Sequence, residues 1–134
     1  MAMRVLIIED TRERQEILRQ LYKDQAWVMV HTAKRAISLL DAYEFDLISL
    51  DFNLAGERTG DEVAKHICSG LNKTARVIIH SMNPQGRNRI RKLLPDSIIL
   101  PVASMIKTNK RFKRLREALK EGVNFDWSFT VKET

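Results

Sequence analysis

Three apolar runs in this sequence each stop at a side chain that can do chemistry. "RVLII" stops at Glu9-Asp10, "DLISL" at Asp51, and "RVII" at His80-Ser81, with no proline or glycine in between to account for the stop. Three carboxylates and a hydroxyl gathered at one edge suit a hard divalent cation such as Mg²⁺. That ion takes oxygen ligands in near-octahedral geometry and keeps several waters. The remaining positions are then open to a phosphoryl group. A histidine such as His80 can serve as a general acid or base toward a phosphate ester. Strand alternation points it to the face opposite Ser81. Each residue also has an ordinary structural role: Asp10-Thr11-Arg12-Glu13 can cap a helix, Ser81 can be a polar strand end, and Asp51 a turn residue. Their joint appearance at three strand ends favours a site over three separate accidents.

The elements that must position these residues follow from periodicity. Arg4 to Ile8 is a continuous apolar run, the pattern of a strand buried on both faces, and "WVMV" (Trp27 to Val30) reads as a second such strand. Phe45 to Leu50, "RVIIH" and "SIIL" complete five strands, the last ending at Pro101. Between them, Ile17, Leu18 and Leu21, then Ala36, Ile37, Leu39 and Leu40, recur at helical spacing. A third helix is expected from Thr59, with Glu62 closing a capping box. A fourth is expected from Asn83-Pro84, a cap followed by a first-turn proline. A fifth, basic helix covers "KTNKRFKRLREALK", its Phe112, Leu115 and Leu119 facing inward. Strands alternating with helices call for an α/β fold, a doubly wound five-stranded parallel sheet with helices on both faces. In such sheets ligands collect beyond the carboxyl ends of the strands, where the three acidic sites fall.

At 134 residues and 44% hydrophobic content the chain suits one domain. Residues 1–122 are expected to form it, and 123–134 a tail whose alternation from Phe125 to Val131 suggests an extra edge strand. No apolar run is long enough for a membrane span, and the start does not read as a signal peptide, so a cytoplasmic protein is expected. The net charge of +6, from 23 basic and 17 acidic residues, gathers in the last helix. Without aromatic interleaving it reads as a solvated face, and a nucleic-acid partner is not expected. The single cysteine, Cys68, excludes an internal disulfide and is expected to be a small core residue.

Taken together, "RVLIIED", "TAKRAISLLDAYEFDLISLDFNL", "TG", "VIIHS" and Pro101 resemble the receiver domain of bacterial response regulators over nearly the whole chain. The resemblance implies the flavodoxin-like receiver fold with strand order 2-1-3-4-5. It also implies a Mg²⁺ site at Glu9, Asp10 and Asp51 completed by the Asn53 carbonyl, phosphoacceptance by Asp51, and a switch hydroxyl at Ser81. A histidine kinase or phosphotransfer protein would be the donor, and a protein output partner or homodimer the recipient of the signal. Asp51 would stand at a strand end because a carboxylate held there against a cation can attack phosphorus. Receivers carry a lysine where this chain has Leu100 and an aromatic switch residue where it has Ser97. Arg58 and Arg87 are the nearest replacement cations by sequence. The segment "IIHSMNPQGRNRI" is more similar to a divergent branch, the cyclic-phosphate-processing receivers, matching at His80, Ser81 and Asn83 and departing at Phe52-Asn53, where that branch carries a His-Asp pair. Three functions are therefore open: a phosphorelay receiver, a Mg²⁺-dependent phosphoesterase acting on cyclic phosphates, and a pseudo-receiver that only binds.

Overall fold

A computed structural model describes residues 2–126. Five strands, β1 (Arg4–Ile8), β2 (Ala26–Val30), β3 (Leu47–Leu50), β4 (Arg76–Ile79) and β5 (Ile98–Ile99), form one parallel sheet in the order β2-β1-β3-β4-β5. This is the flavodoxin-like receiver topology expected from the sequence. The crossovers are α1 (Arg12–Leu21), α2 (Ala33–Ala42), α3 (Gly60–Ser69) and α4 (Pro84–Leu93), followed by α5 (Val102–Met105) and α6 (Asn109–Leu119).

Alternation along the strands divides the core in two. Val5, Ile7, Leu47, Ile78 and Leu100 face α1, α5 and α6, where Leu18, Leu21, Tyr22, Met105, Leu115 and Leu119 cover them. Leu6, Ile8, Ile48, Leu50, Val77 and Ile79 face α2, α3 and α4, where they meet Ala36, Leu40, Val63, Ile67 and Ile90. Each fully buried large aliphatic side chain contributes about 1.5–3 kcal/mol, so both faces are strongly specified. A one-residue slip of any central strand would exchange its two faces.

Several local expectations are corrected. β2, at the sheet edge as the expected strand order requires, is not the buried strand its apolar run suggests, with Trp27 and Val28 both 38% exposed. Cys68 is exposed and its thiol turns to the Lys65 carbonyl oxygen at 3.3 Å, because it falls on the outer side of α3, away from Val63 and Ile67. α3 does begin after Thr59, but the Thr59 hydroxyl bonds the Asp61 carboxylate instead of capping, and no capping box closes with Glu62. Asn83 caps α4 as expected, its Oδ1 accepting the Gly86 N–H at 3.1 Å. The segment after Pro101 forms two helices instead of one, the short α5 preceding the basic α6. Leu115 and Leu119 are buried, and so is Arg111, which donates to Ser104 Oγ at 2.7 Å. The proposed edge strand from Phe125 to Val131 falls mostly outside the described residues. Phe125 itself is buried beneath the Arg76 guanidinium, 4.7 Å from the ring centroid.

The loop after β3 is fixed by close approach. The Gly60 N–H donates to the Phe52 carbonyl at 2.7 Å. A Cβ at Gly60 would stand 2.0 Å from the Asp51 carbonyl oxygen, which is backbone and cannot turn aside. Gly60→Ala should accordingly destabilise the fold by about 1–3 kcal/mol, the cost of overpacking a tight site. Urea unfolding of the two proteins measures this, and an unchanged midpoint would show that the loop relaxes freely.

Candidate functional site

The site is built by continuing the strand ladder one residue past three strand ends. The Glu9 N–H donates to the Val30 carbonyl (3.0 Å), the Asp51 N–H to Ile8 (3.2 Å) and the His80 N–H to Leu50 (3.1 Å). Parallel pairing thus holds Glu9, Asp51 and His80 side by side, and alternation directs all three to the α1 face. One ligand atom from each lies within 4.8 Å of the others, and all three residues are buried. His80 does point away from Ser81, as alternation requires, and this brings it into the acidic centre.

Glu9 is fully buried and well partnered. Its Oε1 accepts from Arg14 Nε (3.0 Å) and faces His80 Nε2 (3.1 Å), while Oε2 accepts the Thr11 N–H (3.0 Å). A carboxylate partner fixes the proton on His80 Nε2, and the Ser49 hydroxyl lies 2.8 Å from Nδ1. Ser49 is thus the outer anchor of a buried chain, Ser49–His80–Glu9. Beyond it the Tyr22 hydroxyl is buried with no satisfactory hydrogen bond, and burial pushes that phenol upward in pKa. Burial alone would raise the Glu9 carboxyl, but the hydrogen bond and charge of His80, the Thr11 N–H and Arg14 outweigh it and hold it at about 2.

Asp51 is the opposite case. Its Oδ1 accepts the Phe52 N–H at 2.8 Å, whereas Oδ2 is buried, has no hydrogen-bond partner among the described residues and forms an ion pair with Arg14 Nη2 at 3.5 Å. Burial, reinforced by the negative charge of Glu9, raises its pKa despite His80, the Phe52 N–H and Arg14. One oxygen of this carboxylate is therefore uncommitted, a state that a cation or an electrophile would relieve.

The other expected residues stand further out. Asp10 is half-buried at the rim, its Oδ1 3.4 Å from the Thr11 hydroxyl. Asn53 is exposed. Ser81 is buried, its hydroxyl accepting the Asn83 N–H at 3.1 Å and its carbonyl accepting from Arg87 Nη1 at 3.0 Å. Its side chain does not touch Asp51 among the described residues. Arg58 is exposed, and Arg87 is engaged with Ser81, so neither is the cation at Asp51. That cation is Arg14, which sequence reasoning missed along with Ser49. For Ser49 the signal was present, a lone hydroxyl two residues before Asp51 and hence on the same strand face. For Arg14 there was none beyond its place in the first turn of α1. Leu100 is buried in the apolar cluster under α1 and α5, and Ser97 is tied to the Leu94 carbonyl at 2.6 Å.

The two carboxylates give opposite stability signatures. Glu9, depressed, contributes stability above its ordinary pKa of 4.5 that is lost as pH falls toward about 2. Asp51, raised, contributes destabilisation that appears as pH rises through its folded pKa. Metal-free Asp51→Asn should therefore melt higher than wild type at pH 7, by a few degrees, with the gap closing below the ordinary Asp pKa. Glu9→Gln should melt lower at pH 7. Thermal denaturation across pH tests both, and an Asp51→Asn protein less stable than wild type at neutrality would contradict the assignment.

Known proteins were compared with this geometry in hand. No curated relative matches the sequence. Among solved structures, the chain is similar to a phosphorylated cyanobacterial phytochrome response regulator, RcpA, at 18% identity and a TM-score of 0.71, over 92% of this chain and 96% of that one. It is similar also to the response regulator TrrA of Thermotoga maritima in complex with Mg²⁺ and a beryllium fluoride, at 20% identity and a TM-score of 0.66, over 86% and 99%. The Mn²⁺-bound response regulator Rcp1 matches at 18% identity and a TM-score of 0.67, over 88% and 92%. At these identities the likeness shows the fold, that of CheY-like receivers. The family described as "Cyclic-phosphate processing Receiver domain" matches residues 4–96, well over half of the chain. With its receiver topology and its histidine drawn in beside the acidic residues at the strand ends, this chain belongs to the cyclic-phosphate processing receiver domain family.

Proposed function

We propose that this chain handles phosphoryl groups as a Mg²⁺-dependent receiver, with Asp51 as the acceptor. The observation that carries this reading is the buried Oδ2 of Asp51, without a hydrogen-bond partner among the described residues, beside a Glu9 whose Oε2 carries only the Thr11 N–H. The donor set fits a hard cation. Glu9 and Asp51 present anionic oxygens at the strand ends, Asp10 adds a third carboxylate at the rim, and the Asn53 backbone carbonyl lies two residues beyond Asp51. A bound Mg²⁺ supplies charge neutralisation to the acidic residues and to the phosphoryl oxygens, which lowers the barrier to attack by an anion on an anion.

The residues of the chain divide the remaining work. Asp51 Oδ2 forms the new bond to phosphorus, while the bond from phosphorus to the donor's leaving atom, an imidazole nitrogen in a phosphohistidine or an oxygen in an acyl phosphate, breaks and its electron pair leaves with that atom. With acetyl phosphate as donor, acetate departs. His80, buried behind Glu9 and anchored by Ser49, orients and fixes the charge of that carboxylate, as an outer hydrogen-bond partner of a metal ligand does. In this role it does not touch the substrate. Ser81 lies at the adjoining strand end with its hydroxyl accepting the Asn83 N–H, and would reach the phosphoryl oxygens only with a shift of the segment after β4. A phosphohistidine kinase or phosphotransfer protein is the donor class, and the phosphorylated domain signals through a protein partner or a second copy.

A second reading has its own support. The family description points to cyclic phosphates, and the missing lysine at Leu100 weakens the case for a long-lived phosphoaspartate. In that reading a water molecule at the same carboxylate centre attacks phosphorus, one ring P–O bond of the cyclic phosphate breaks, and the released oxygen takes a proton.

Incubation with Mg²⁺ and acetyl phosphate, followed by intact mass, should show one phosphoryl adduct that requires Mg²⁺ and disappears in Asp51→Asn. Leu100→Lys should raise its yield, because a charge-assisted hydrogen bond to the adduct is worth ~1.5–3 kcal/mol. Acid-stable phosphate on Ser81 would contradict the acceptor assignment. No adduct, together with hydrolysis of a cyclic nucleotide phosphate that is lost in His80→Ala, would transfer the function to the esterase reading.

A further inference from the structure

We infer that Arg14 is the phosphoryl-binding cation of this receiver, taking from α1 the place that a lysine at position 100 would otherwise fill from β5. The inference rests on the reading of Asp51 as acceptor and names a residue which that reading leaves out. Three observations carry it. Leu100 is apolar, buried, and packed in the cluster beneath α1 and α5, so no cation reaches Asp51 from that side. Arg14 is the cation that does reach Asp51: its Nη2 lies 3.5 Å from Oδ2, the oxygen left without a hydrogen bond. And Arg14 is anchored elsewhere, by Nε to Glu9 Oε1 at 3.0 Å and by Nη2 to the Thr11 hydroxyl at 2.8 Å.

That anchoring makes the guanidinium a mounted donor array. Its long contact with Asp51 is an ion pair without a hydrogen bond, and its Nη1 makes no hydrogen bond or ion pair among the described residues. A guanidinium presents five N–H donors in a rigid plane, matched to the paired oxygens of a phosphoryl group. The Arg14 side chain is 31% exposed while that of Asp51 is 3% exposed, so Arg14 spans from the buried carboxylate to the solvent from which a donor must approach. A group arriving at Oδ2 would meet this plane first.

The same position makes Arg14 a competitor of the cation before any phosphoryl group arrives, since it already occupies Glu9 Oε1 and faces Asp51 Oδ2. Binding of Mg²⁺ alone and binding of a phosphoryl analogue should therefore respond to its removal in opposite directions. A role confined to supporting Glu9 would weaken both.

The test compares full-length wild type, Arg14→Gln, Arg14→Lys and the double variant Arg14→Gln/Leu100→Lys. Mg²⁺ affinity is measured by titration calorimetry, and beryllofluoride affinity by the same method at saturating Mg²⁺. In Arg14→Gln, Mg²⁺ should bind several-fold tighter and beryllofluoride about 10- to 100-fold weaker, the loss of one charge-assisted contact. Arg14→Lys, which keeps the charge and guards against a folding defect, should stay within a few-fold of wild type for beryllofluoride. The double variant should recover most of what Arg14→Gln loses. Beryllofluoride binding in Arg14→Gln equal to wild type would overturn the inference while leaving Asp51 as acceptor. Weakening of both ligands would overturn it in favour of mere support of Glu9, and a double variant no better than Arg14→Gln would overturn the replacement of the lysine. Wild type that binds no beryllofluoride and takes no adduct from acetyl phosphate would bring down the acceptor reading and this inference together.

Discussion

Two carboxylates sealed within one small volume repel each other and have lost their water, and the architecture at the strand ends answers to that cost. Burying an ion costs several kcal/mol even after the protein relaxes, and it is tolerated only where partners satisfy the charge. Glu9 is satisfied: a guanidinium, an imidazole and a backbone N–H converge on it. Asp51 is not, because one oxygen has only a distant ion pair. The asymmetry divides their roles. The carboxylate held far below its ordinary pKa is a fixed anion, and the one pushed above it is the group whose charge state and bonding the molecule has left open.

The asymmetry is produced by backbone register. The ladder bonds that extend β1, β3 and β4 by one residue place Glu9, Asp51 and His80 in a row, with the central carboxylate flanked by the other two. His80 can then reach Glu9 with one nitrogen and Ser49 with the other, so that both ring nitrogens are held by neighbours. Replacing the lysine of ordinary receivers by Leu100 belongs to the same arrangement. The aliphatic side chain extends the apolar floor under α1 and α5.

The loop that follows Asp51 is held almost as firmly as the strands. Gly60 packs its α-carbon against the Asp51 carbonyl, and Gly86 leaves space for the Phe52 ring, since a Cβ there would stand 2.3 Å from Phe52 Cγ. Phe52 thereby wedges between the strand end and the first turn of α4, under the Arg89 guanidinium at 6.0 Å. Phe52 is a packing residue, joining the loop after β3 to the segment that bears Ser81 and Asn83.

The sequence by itself determined the fold and the row of strand-end residues. Apolar runs such as Val5 to Ile8 and Leu47 to Leu50 are strong local signals, and a strand's last residue is legible because the polarity changes there. The exposure of β2 was not legible in its composition, since Trp27 to Val30 is apolar enough for a buried strand, and only the packing shows how little covers it. Cys68 and the Thr59 cap misled for a similar reason: helical phase and cap geometry turn on a rotation of one residue or one χ angle, below what composition resolves. The electrostatic centre was decided by tertiary structure alone. Nothing in the order of residues says that Arg14 meets Asp51, or that Ser49 and Glu9 grip the two nitrogens of one ring. Those contacts span from 5 residues, between Glu9 and Arg14, to 71, between Glu9 and His80. They exist because parallel pairing carries distant strand ends to one edge, where charge, unlike hydrophobic pattern, has no period in the sequence to reveal it.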